Sequence, residues 1–166
     1  MTTVEGGGVN RAQLLKRLEK AWDALKESYA GLSDVQLMEP GVTGEWSVRD
    51  IIAHVTTWEE EALKHLGPIL EGRRPPRYSV MYGGINAFNA RKTKENAGLP
   101  LSEVFRRRDV THQRIIETIE RAPEEQMIVE TRFRRRLRLD TYGHYPKHAE
   151  AILNWRERRN RDADSV

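Results

Sequence analysis

The sequence predicts an all-α fold, a four-helix bundle built from four amphipathic segments. In each segment apolar residues recur three and four positions apart, which places them on one face of a helix. Glycine and proline separate the segments, and no continuous heptad repeat runs through them, so a globular bundle is favoured over a long coiled coil. At 166 residues the chain is long enough for one such domain and too short for two ordinary ones.

The first two helices have recognisable start and stop signals. Asn10 is a candidate N-cap for the first helix, which we expect to stop at Gly31. Ser47 and Asp50 resemble a capping box at the start of the second helix, which ends near Gly72. The two apolar stripes comprise Leu14, Leu15, Leu18, Trp22, Leu25 and Tyr29, then Val48, Ile51, Ile52, Val55, Trp58, Ala62, Leu66 and Ile69.

The second half of the chain is less regular. The link between the second and third helices has about 30 residues, more than the two to eight of a bundle hairpin, and we expect this insert to cover one end of the bundle. Ser102 is the expected N-cap of the third helix, which stops before Pro123. Residues 124–140 partly alternate, which predicts a short strand or an irregular, extended segment before a fourth helix at 143–160.

Composition restricts the function classes. The chain has 28 Lys+Arg, 25 Asp+Glu and no Cys, which excludes disulfides, thiolate metal ligands and a cysteine nucleophile. No apolar run has the length of a membrane span or a signal peptide, so we expect no membrane contact and a cytoplasmic location. We expect residues 1–8 to form a disordered tail, residues 9–161 a single domain, and residues 162–166 a second tail.

Three histidines fall on inward-facing helical positions. His54 lies on the apolar stripe of the second helix, and His144 and His148 are four residues apart, so their side chains share one face. Three imidazoles from two helices can form a site that leaves coordination positions open, which suits Zn²⁺, Ni²⁺ or another first-row divalent ion. A single inward histidine is more often a hydrogen-bonded core residue, and that alternative stays open at this point.

Pro146 decides whether the histidine pair can share a face. If Gly143 is the cap, the helix starts at His144, Pro146 lies in the first turn, and the pair survives. If the helix begins at Pro146, the pair does not survive. Of the other histidines, we expect His112 to be a core or interface residue and His65 to be exposed.

The segments around the three histidines resemble DinB/YfiT-like proteins. GEWSVRDIIAH at 44–54, followed by Trp58, is similar to the second-helix signature of that family, and YGHYPKH at 142–148 is similar to its fourth-helix H-x3-H motif. The His-Tyr-x-x-His form, with Asn86 and Asn89 between the two motifs, is most similar to the ClbS/DfsB branch. The matched segments span most of the chain.

The resemblance implies a four-helix bundle with a divalent ion, most readily Zn²⁺ or Ni²⁺, held by His54, His144 and His148. Members of the family include thiol-dependent S-transferases and isomerases, and one branch contains a resistance protein that hydrolyses a strained electrophilic ring. The predicted function is therefore a metal-dependent hydrolase or S-transferase that activates water or a low-molecular-weight thiol against a small electrophile, for example in detoxification or resistance. Because the chain has no Cys, any thiol must arrive as a cosubstrate.

Further residues receive expected roles around this centre. Tyr145 is a candidate catalytic donor to a developing anion, with an ordinary packed tyrosine as the alternative. Asp50 is a candidate carboxylate for orienting the imidazole of His54, with helix capping as the stronger alternative. Asn86, Asn89 and Trp58 are expected to contact the substrate.

Two other functions compete with the enzyme. A metal-free bundle could sequester a small ligand or act through dimerisation, and bundles of this kind often form homodimers. A nucleic-acid-binding module would use the arginine clusters at 132–138 and 156–161 to neutralise phosphates. Acidic residues lie near both clusters and no binding motif accompanies them, so nucleic acid is expected to be an unlikely partner.

Overall fold

The computed structural model describes residues 10–165, and within them it contains nine helices and no β-strand. Four long helices form the bundle, α1 (Arg11–Ser28), α3 (Val48–Leu70), α6 (Leu101–Arg121) and α9 (Tyr145–Asp164), which confirms the predicted all-α class. The expected tail at residues 1–8 lies outside the described residues. The shorter helices are α2 (Asp34–Leu37), α4 (Tyr78–Met81), α5 (Ile85–Asn96), α7 (Glu125–Ile128) and α8 (Arg132–Asp140).

Helix α3 lies at the centre of the bundle. It packs against α5, α6 and α8, while α1 packs mainly against α9. Each long helix contributes fully buried apolar side chains to one core, for example Leu14, Ile51, Ile115 and Ile152, all 0% exposed. Because α3 has neighbours on several sides, side chains on more than one of its faces are buried. The helix can therefore contribute residues to more than one polar cluster.

The predicted caps of the first two bundle helices are confirmed. The Asn10 side chain accepts a hydrogen bond from the backbone N–H of Gln13 at 2.9 Å. At the start of α3, Ser47 Oγ accepts from the N–H of Asp50 at 3.1 Å, and Asp50 Oδ2 accepts from the N–H of Ser47 at 3.0 Å. These reciprocal bonds fix the first turn of α3. The third long helix starts earlier than predicted, since Pro100 and not Ser102 is its N-cap.

Residues 132–140 form helix α8, so the prediction of a strand or an irregular segment there is wrong. Phe133 and Leu137 are four residues apart, both 0% exposed, and belong to the hydrophobic core, which is a helical and not a strand spacing. Thr131 caps the helix by accepting a hydrogen bond from the N–H of Arg134 at 3.1 Å. The apparent alternation came partly from Leu139, which is 67% exposed.

The junction between α8 and α9 fixes the position of the histidine pair. Gly143 has no space for a side chain, because a Cβ there would lie 2.6 Å from the carbonyl oxygen of Arg138. His144, and not Gly143, is the N-cap of α9, and Pro146 lies in its first turn, where it removes no helical hydrogen bond. The helix continues to Asp164, beyond the expected domain boundary at residue 161.

The insert between α3 and α6 folds as α4 and α5 beside the central helix. Phe88 of α5 is 0% exposed, and its ring lies 5.1 Å from that of Trp58 and 5.7 Å from that of Tyr78. The insert therefore forms a wall along α3. No helix within residues 10–165 has the length and hydropathy needed to cross a membrane.

Candidate metal centre

Three imidazoles from α3 and the start of α9 meet at one point. The Nε2 atom of His144 lies 3.2 Å from Nε2 of His54 and 3.0 Å from Nε2 of His148. One ligand atom from each of the three rings can be chosen so that all lie within 4.8 Å of one another. The rings are buried, with exposed fractions of 9% for His54, 8% for His144 and 5% for His148.

The surroundings of the cluster keep all three rings uncharged near neutral pH. Burial lowers the pKa of His54 to about 3, of His144 to about 2 and of His148 to about 4. Burial is the largest cause of each shift, and the neighbouring charge of Lys147 contributes to all three in the same direction. Since a metal binds the neutral form of an imidazole, protons compete weakly for this site at pH 7.

The spacing of the nitrogens fits a first-row divalent ion. Two nitrogens bound to Zn²⁺ at about 2.0–2.1 Å and a tetrahedral angle lie roughly 3.3 Å apart, while the right angle of an octahedral face brings them to roughly 2.9 Å. The two measured separations of 3.0 and 3.2 Å fall between these values. In addition, a single Nε2 atom of His144 cannot donate to one neighbour and accept from the other, so a shared cation satisfies the three nitrogens better than hydrogen bonds do.

The outer nitrogen of His144 distinguishes this cluster from many protein metal sites. Histidine ligands usually donate their second ring N–H to a carboxylate, a carbonyl or water. Nδ1 of His144 is buried and has no hydrogen-bond partner within the described residues. The ring of His54 is instead held by packing, with the ring of Trp46 4.6 Å away. The site therefore offers three neutral donors, and neither of these two ring contacts involves a carboxylate.

A cavity of about 350 Å³ opens beside the imidazoles, a size suited to a small organic molecule. Trp58 lies in its wall and donates its indole N–H to Oδ1 of Asn89 at 3.0 Å. The aliphatic side chains of Ile85 and Leu139 lie in the wall and are largely exposed, so the cavity has an apolar rim. The complete lining is His54, Trp58, Tyr78, Ile85, Asn89, Arg136, Leu139, Asp140, His144 and Lys147.

Charged groups of α8 and α9 also line this cavity. Arg136 donates from Nε to Oδ2 of Asp140 at 2.6 Å and from its guanidinium to the hydroxyl of Tyr78. Burial raises the pKa of Asp140 to about 6, although the Arg136 guanidinium opposes the shift. With Lys147, the lining has two cations and one carboxylate, so a substrate with a negative group, or one that develops it during reaction, is favoured.

The structure brings some of the predicted substrate and catalytic residues to the cavity and not others. Trp58 and Asn89 lie in its lining, whereas Asn86 is exposed and lines a neighbouring depression with Gly83 and Gly84. The hydroxyl of Tyr145 is 0% exposed and donates to Glu59 at 3.0 Å.

Asp50 is engaged at the start of α3. Its Oδ2 accepts from the backbone of Ser47, and its Oδ1 accepts from Arg49 at 3.1 Å. Neither bond involves the ring of His54, so these contacts are those of a helix cap. The expectation that His65 is exposed is wrong, since it is 5% exposed with Nε2 3.4 Å from Glu61.

Sequence reasoning missed Tyr78, Arg136, Asp140 and Lys147 as cavity residues. Arg136 and Asp140 were missed because their segment was expected to be extended, although the four-residue spacing of Phe133 and Leu137 signals a helix. Tyr78 lies on a four-residue helix in the long insert, a region with no clear periodicity.

The structure defines an all-α bundle in which three buried histidines converge and could hold a metal ion. The sequence profile of the DinB superfamily matches residues 17–160, which is most of the chain. The chain belongs to the DinB superfamily, as the motifs predicted. No curated protein matches it in sequence.

Solved structures share this fold at low sequence identity. The colibactin self-resistance protein ClbS in complex with dsDNA is 15% identical with a TM-score of 0.74, over 88% of this chain and 94% of that one. The sibling lethal factor precursor DfsB is 16% identical with a TM-score of 0.75, over 90% and 96%. An uncharacterised protein from Escherichia coli UTI89 is 15% identical with a TM-score of 0.76, over 91% and 95%.

One of these structures corrects an expectation about partners. ClbS was crystallised in complex with double-stranded DNA, so a protein of this fold is found with nucleic acid. The prediction that nucleic acid is an unlikely partner is therefore wrong, because it relied on the missing motif.

Proposed function

We propose that the chain is a metal-dependent enzyme that attacks a small electrophile, by hydrolysis or by transfer of a low-molecular-weight thiol. The observation that carries this proposal is the convergence of three neutral Nε2 atoms beside a cavity of about 350 Å³. A divalent ion, Zn²⁺ or Ni²⁺, when bound by three uncharged imidazoles, acidifies a water molecule towards neutral pH or ionises a thiol. His54, His144 and His148 would hold that ion.

The other cavity residues bind and orient the substrate. Trp58, Ile85 and Leu139 offer apolar surface to the body of the electrophile. Arg136 and Lys147 are placed to favour negative charge in the cavity. Asp140, whose pKa burial raises to about 6, can hold or release a proton at its carboxyl group near neutral pH, while Arg136 fixes its orientation.

Two residues that the sequence nominated for catalysis take other roles in this proposal. Tyr145 donates its hydroxyl to the buried carboxylate of Glu59 and so does not act on the substrate. Asp50 caps α3. Asp140 replaces them as the acid–base group because it lines the same cavity as His54 and His144.

The proposal is tested first by metal content and then by turnover. We expect untagged protein to bind close to one equivalent of Zn²⁺ or Ni²⁺ in inductively coupled plasma mass spectrometry after reconstitution, and the His148→Ala variant to bind little. His65→Asn is the matched control, because His65 is equally buried on α3 and outside the cluster.

Turnover separates the chemical alternatives. An activated aryl halide, incubated with and without an added low-molecular-weight thiol, reports transfer if the thiol is required and hydrolysis if it is not. If the wild type binds the ligand without turnover and His148→Ala binds it equally well, the result would instead support a metal-free sequestering bundle and contradict the enzyme.

We infer binding of double-stranded DNA as a second candidate function. The supporting observations are the DNA-bound structure of ClbS, which shares the fold, and the position of helix α8 beside the histidine cavity. Arg132 and Arg135 are exposed on α8, where they can reach phosphates. Arg136 and Arg138, by contrast, are paired with Asp140 and Glu130.

Salt dependence tests this second candidate. We expect the affinity for a duplex of mixed sequence to fall steeply with salt. The double variant Arg132→Ala, Arg135→Ala should reduce the slope of log K against log salt by about 0.9 for each phosphate that the protein no longer neutralises. Arg17→Ala is the control, since Arg17 is exposed on α1 and lies outside both arginine clusters. An affinity for the duplex that does not change with salt concentration would contradict DNA binding through phosphate contacts.

A further inference from the structure

A second polar cluster lies on another side of α3, away from the three histidines. His54 and Glu59 are five positions apart on this helix, which separates their side chains by roughly 140°. Glu59 is 0% exposed, and its Oε2 accepts hydrogen bonds from the hydroxyl of Tyr145 at 3.0 Å and from Nδ1 of His112 at 2.9 Å. Its second oxygen, Oε1, has no hydrogen-bond partner within the described residues.

The ring of His112 is held rigidly between this carboxylate and an aromatic ring. It stacks on Trp22 with the centroids 3.8 Å apart and the planes 4° from parallel. Because Nδ1 is directed at Glu59, the second ring nitrogen, Nε2, is the one left for another partner. His112 is 6% exposed and lies in the lining of a cavity of about 430 Å³.

This second cavity lies between α1 and α6 and differs in charge from the first. Its walls are apolar, formed by Leu15, Leu18, Trp22 and Ile116. Its rim has the carboxylates of Glu19, Asp23 and Glu120, which are exposed, and one ammonium group, that of Lys26.

We propose that the cavity between α1 and α6 is a second small-molecule site, independent of the metal centre, that binds an amphipathic organic amine. The volume is within the range of ligand pockets, and the apolar walls suit an aromatic or aliphatic body. Nζ of Lys26 lies 3.9 Å from Oδ1 of Asp23, which leaves Glu19 and Glu120 as the main attraction for the ammonium group of the ligand. That ammonium group can also lie near the face of an aromatic ring. The oriented Nε2 of His112 supplies a buried polar contact at the wall.

The experiment titrates tryptamine into the full chain and follows the indole N–H signals of the tryptophans by NMR. We expect the Trp22 signal to shift, with little change at Trp58, which lines the other cavity. Indole-3-ethanol, a neutral analogue of similar shape, should bind at least about tenfold more weakly, since it lacks the charge that the rim recognises.

Variants show whether the rim determines this binding. The triple variant Glu19→Gln, Asp23→Asn, Glu120→Gln changes exposed residues, so folding should survive, and it should weaken tryptamine at least about tenfold with little effect on indole-3-ethanol. Glu27→Gln, exposed on α1 and outside the lining, should leave the affinity unchanged. No shift at Trp22 at millimolar amine, or a shift that the triple variant leaves intact, would overturn the proposal.

His54→Ala separates this site from the metal centre. It removes one metal ligand and should leave the affinity for tryptamine unchanged, so a failure of the metal proposal does not affect this one. A loss of tryptamine binding in His54→Ala would place the amine in the histidine cavity and contradict a second site.

Discussion

The two polar clusters that flank α3 both contain buried histidines, but they differ in what lies opposite the ring nitrogens. On one side His54, His144 and His148 bring three ring nitrogens together with no carboxylate among them. On the other side a single histidine, His112, meets the buried carboxylate of Glu59. The first cluster could hold a shared cation, whereas in the second cluster Oε2 of Glu59 already accepts both hydrogen bonds.

The difference shows that the role of an inward-facing histidine depends on which groups lie opposite its ring nitrogens. The H-x3-H spacing and the isolated His112 both predict burial, and all of these histidines are buried. Only the carboxylate that α3 provides at Glu59 converts one of them into an internal hydrogen-bonding residue. Where α3 presents His54 instead, the nitrogens remain available to a metal.

The largest expected effect is the loss of the buried carboxylate. Glu59→Ala leaves Nδ1 of His112 and the hydroxyl of Tyr145 without their acceptor in the core. Since each buried donor left unsatisfied costs about 1–3 kcal/mol, we expect the free energy of unfolding to fall by about 2–6 kcal/mol. Urea denaturation measures this change. Glu60→Ala is the control, because its pair with Arg107 is partly exposed and should contribute less than about 1 kcal/mol.

A small change in the free energy of unfolding in Glu59→Ala would contradict this difference between the two clusters. It would mean that water or rearranged side chains satisfy His112 and Tyr145, and that the cluster is not internally paired.

The next effect concerns metal affinity. His144 is central to the first cluster, since its Nε2 contacts the other two rings. We expect His144→Ala to weaken Zn²⁺ binding by more than about 100-fold, beyond the 10- to 100-fold typical of residues that only orient a ligand. Competition with a chromogenic chelator measures the affinity.

The matched control for metal affinity is His112→Asn in the second cluster. It should retain the affinity of the wild type, provided its circular dichroism confirms folding. Equal losses in His144→Ala and His112→Asn would show that metal binding is not localised at the three histidines.

The fold and the candidate histidines of the first cluster were predictable from local patterns. The capping residues Asn10 and Ser47 and the stripes of apolar residues fix α1 and α3 by interactions within one or two turns. The H-x3-H pair is likewise local, because it depends only on the helical repeat. The inward-facing positions suggested that His54 could meet this pair, with core histidines as the alternative, and the resemblance to a known family then implied the same three residues.

The features that the sequence did not predict depend on contacts between residues distant in sequence. Arg136 and Asp140 reach the cavity because α8 packs on α3. The spacing of Phe133 and Leu137 indicates a helix, but it does not indicate which helix α8 packs against. The pairing of Glu59 with His112 joins residues 53 positions apart on two helices. No spacing rule within a single segment predicts such a pair, which is why Tyr145 received a catalytic role that its contact with Glu59 does not support.

A smaller effect follows from the pKa values of the first cluster. Burial lowers the pKa values of the three histidines below 6.5, so in the metal-free protein the unfolded chain binds their protons first as pH falls. The free energy of unfolding should therefore fall between pH 6.5 and 4. Asp140 acts in the opposite direction below pH 6, since its pKa is raised in the folded state.

Comparison with His148→Gln isolates this contribution. The variant lacks one such group, so its stability should change less with pH, by about 1.4 kcal/mol per pH unit. Denaturation of chelator-treated protein at several pH values measures both slopes. Equal slopes for wild type and variant would show that His148 is as easily protonated in the folded protein as in the unfolded chain.

The smallest expected effect on stability comes from replacing a tryptophan, with one tryptophan taken from each side of α3. Trp58 donates its indole N–H to Asn89, whereas Trp22 contributes the face of its ring to His112. Trp58→Phe removes a hydrogen bond, so we expect the free energy of unfolding to fall by about 1 kcal/mol more than its loss of apolar area requires. Trp58→Phe should also lower turnover of the electrophile, because Trp58 lines the histidine cavity. Trp22→Phe keeps an aromatic ring that can stack on His112, and it should leave turnover unchanged. Equal losses of turnover in the two variants, measured at saturating metal, would mean that the clusters are coupled through α3 and do not act as separate sites.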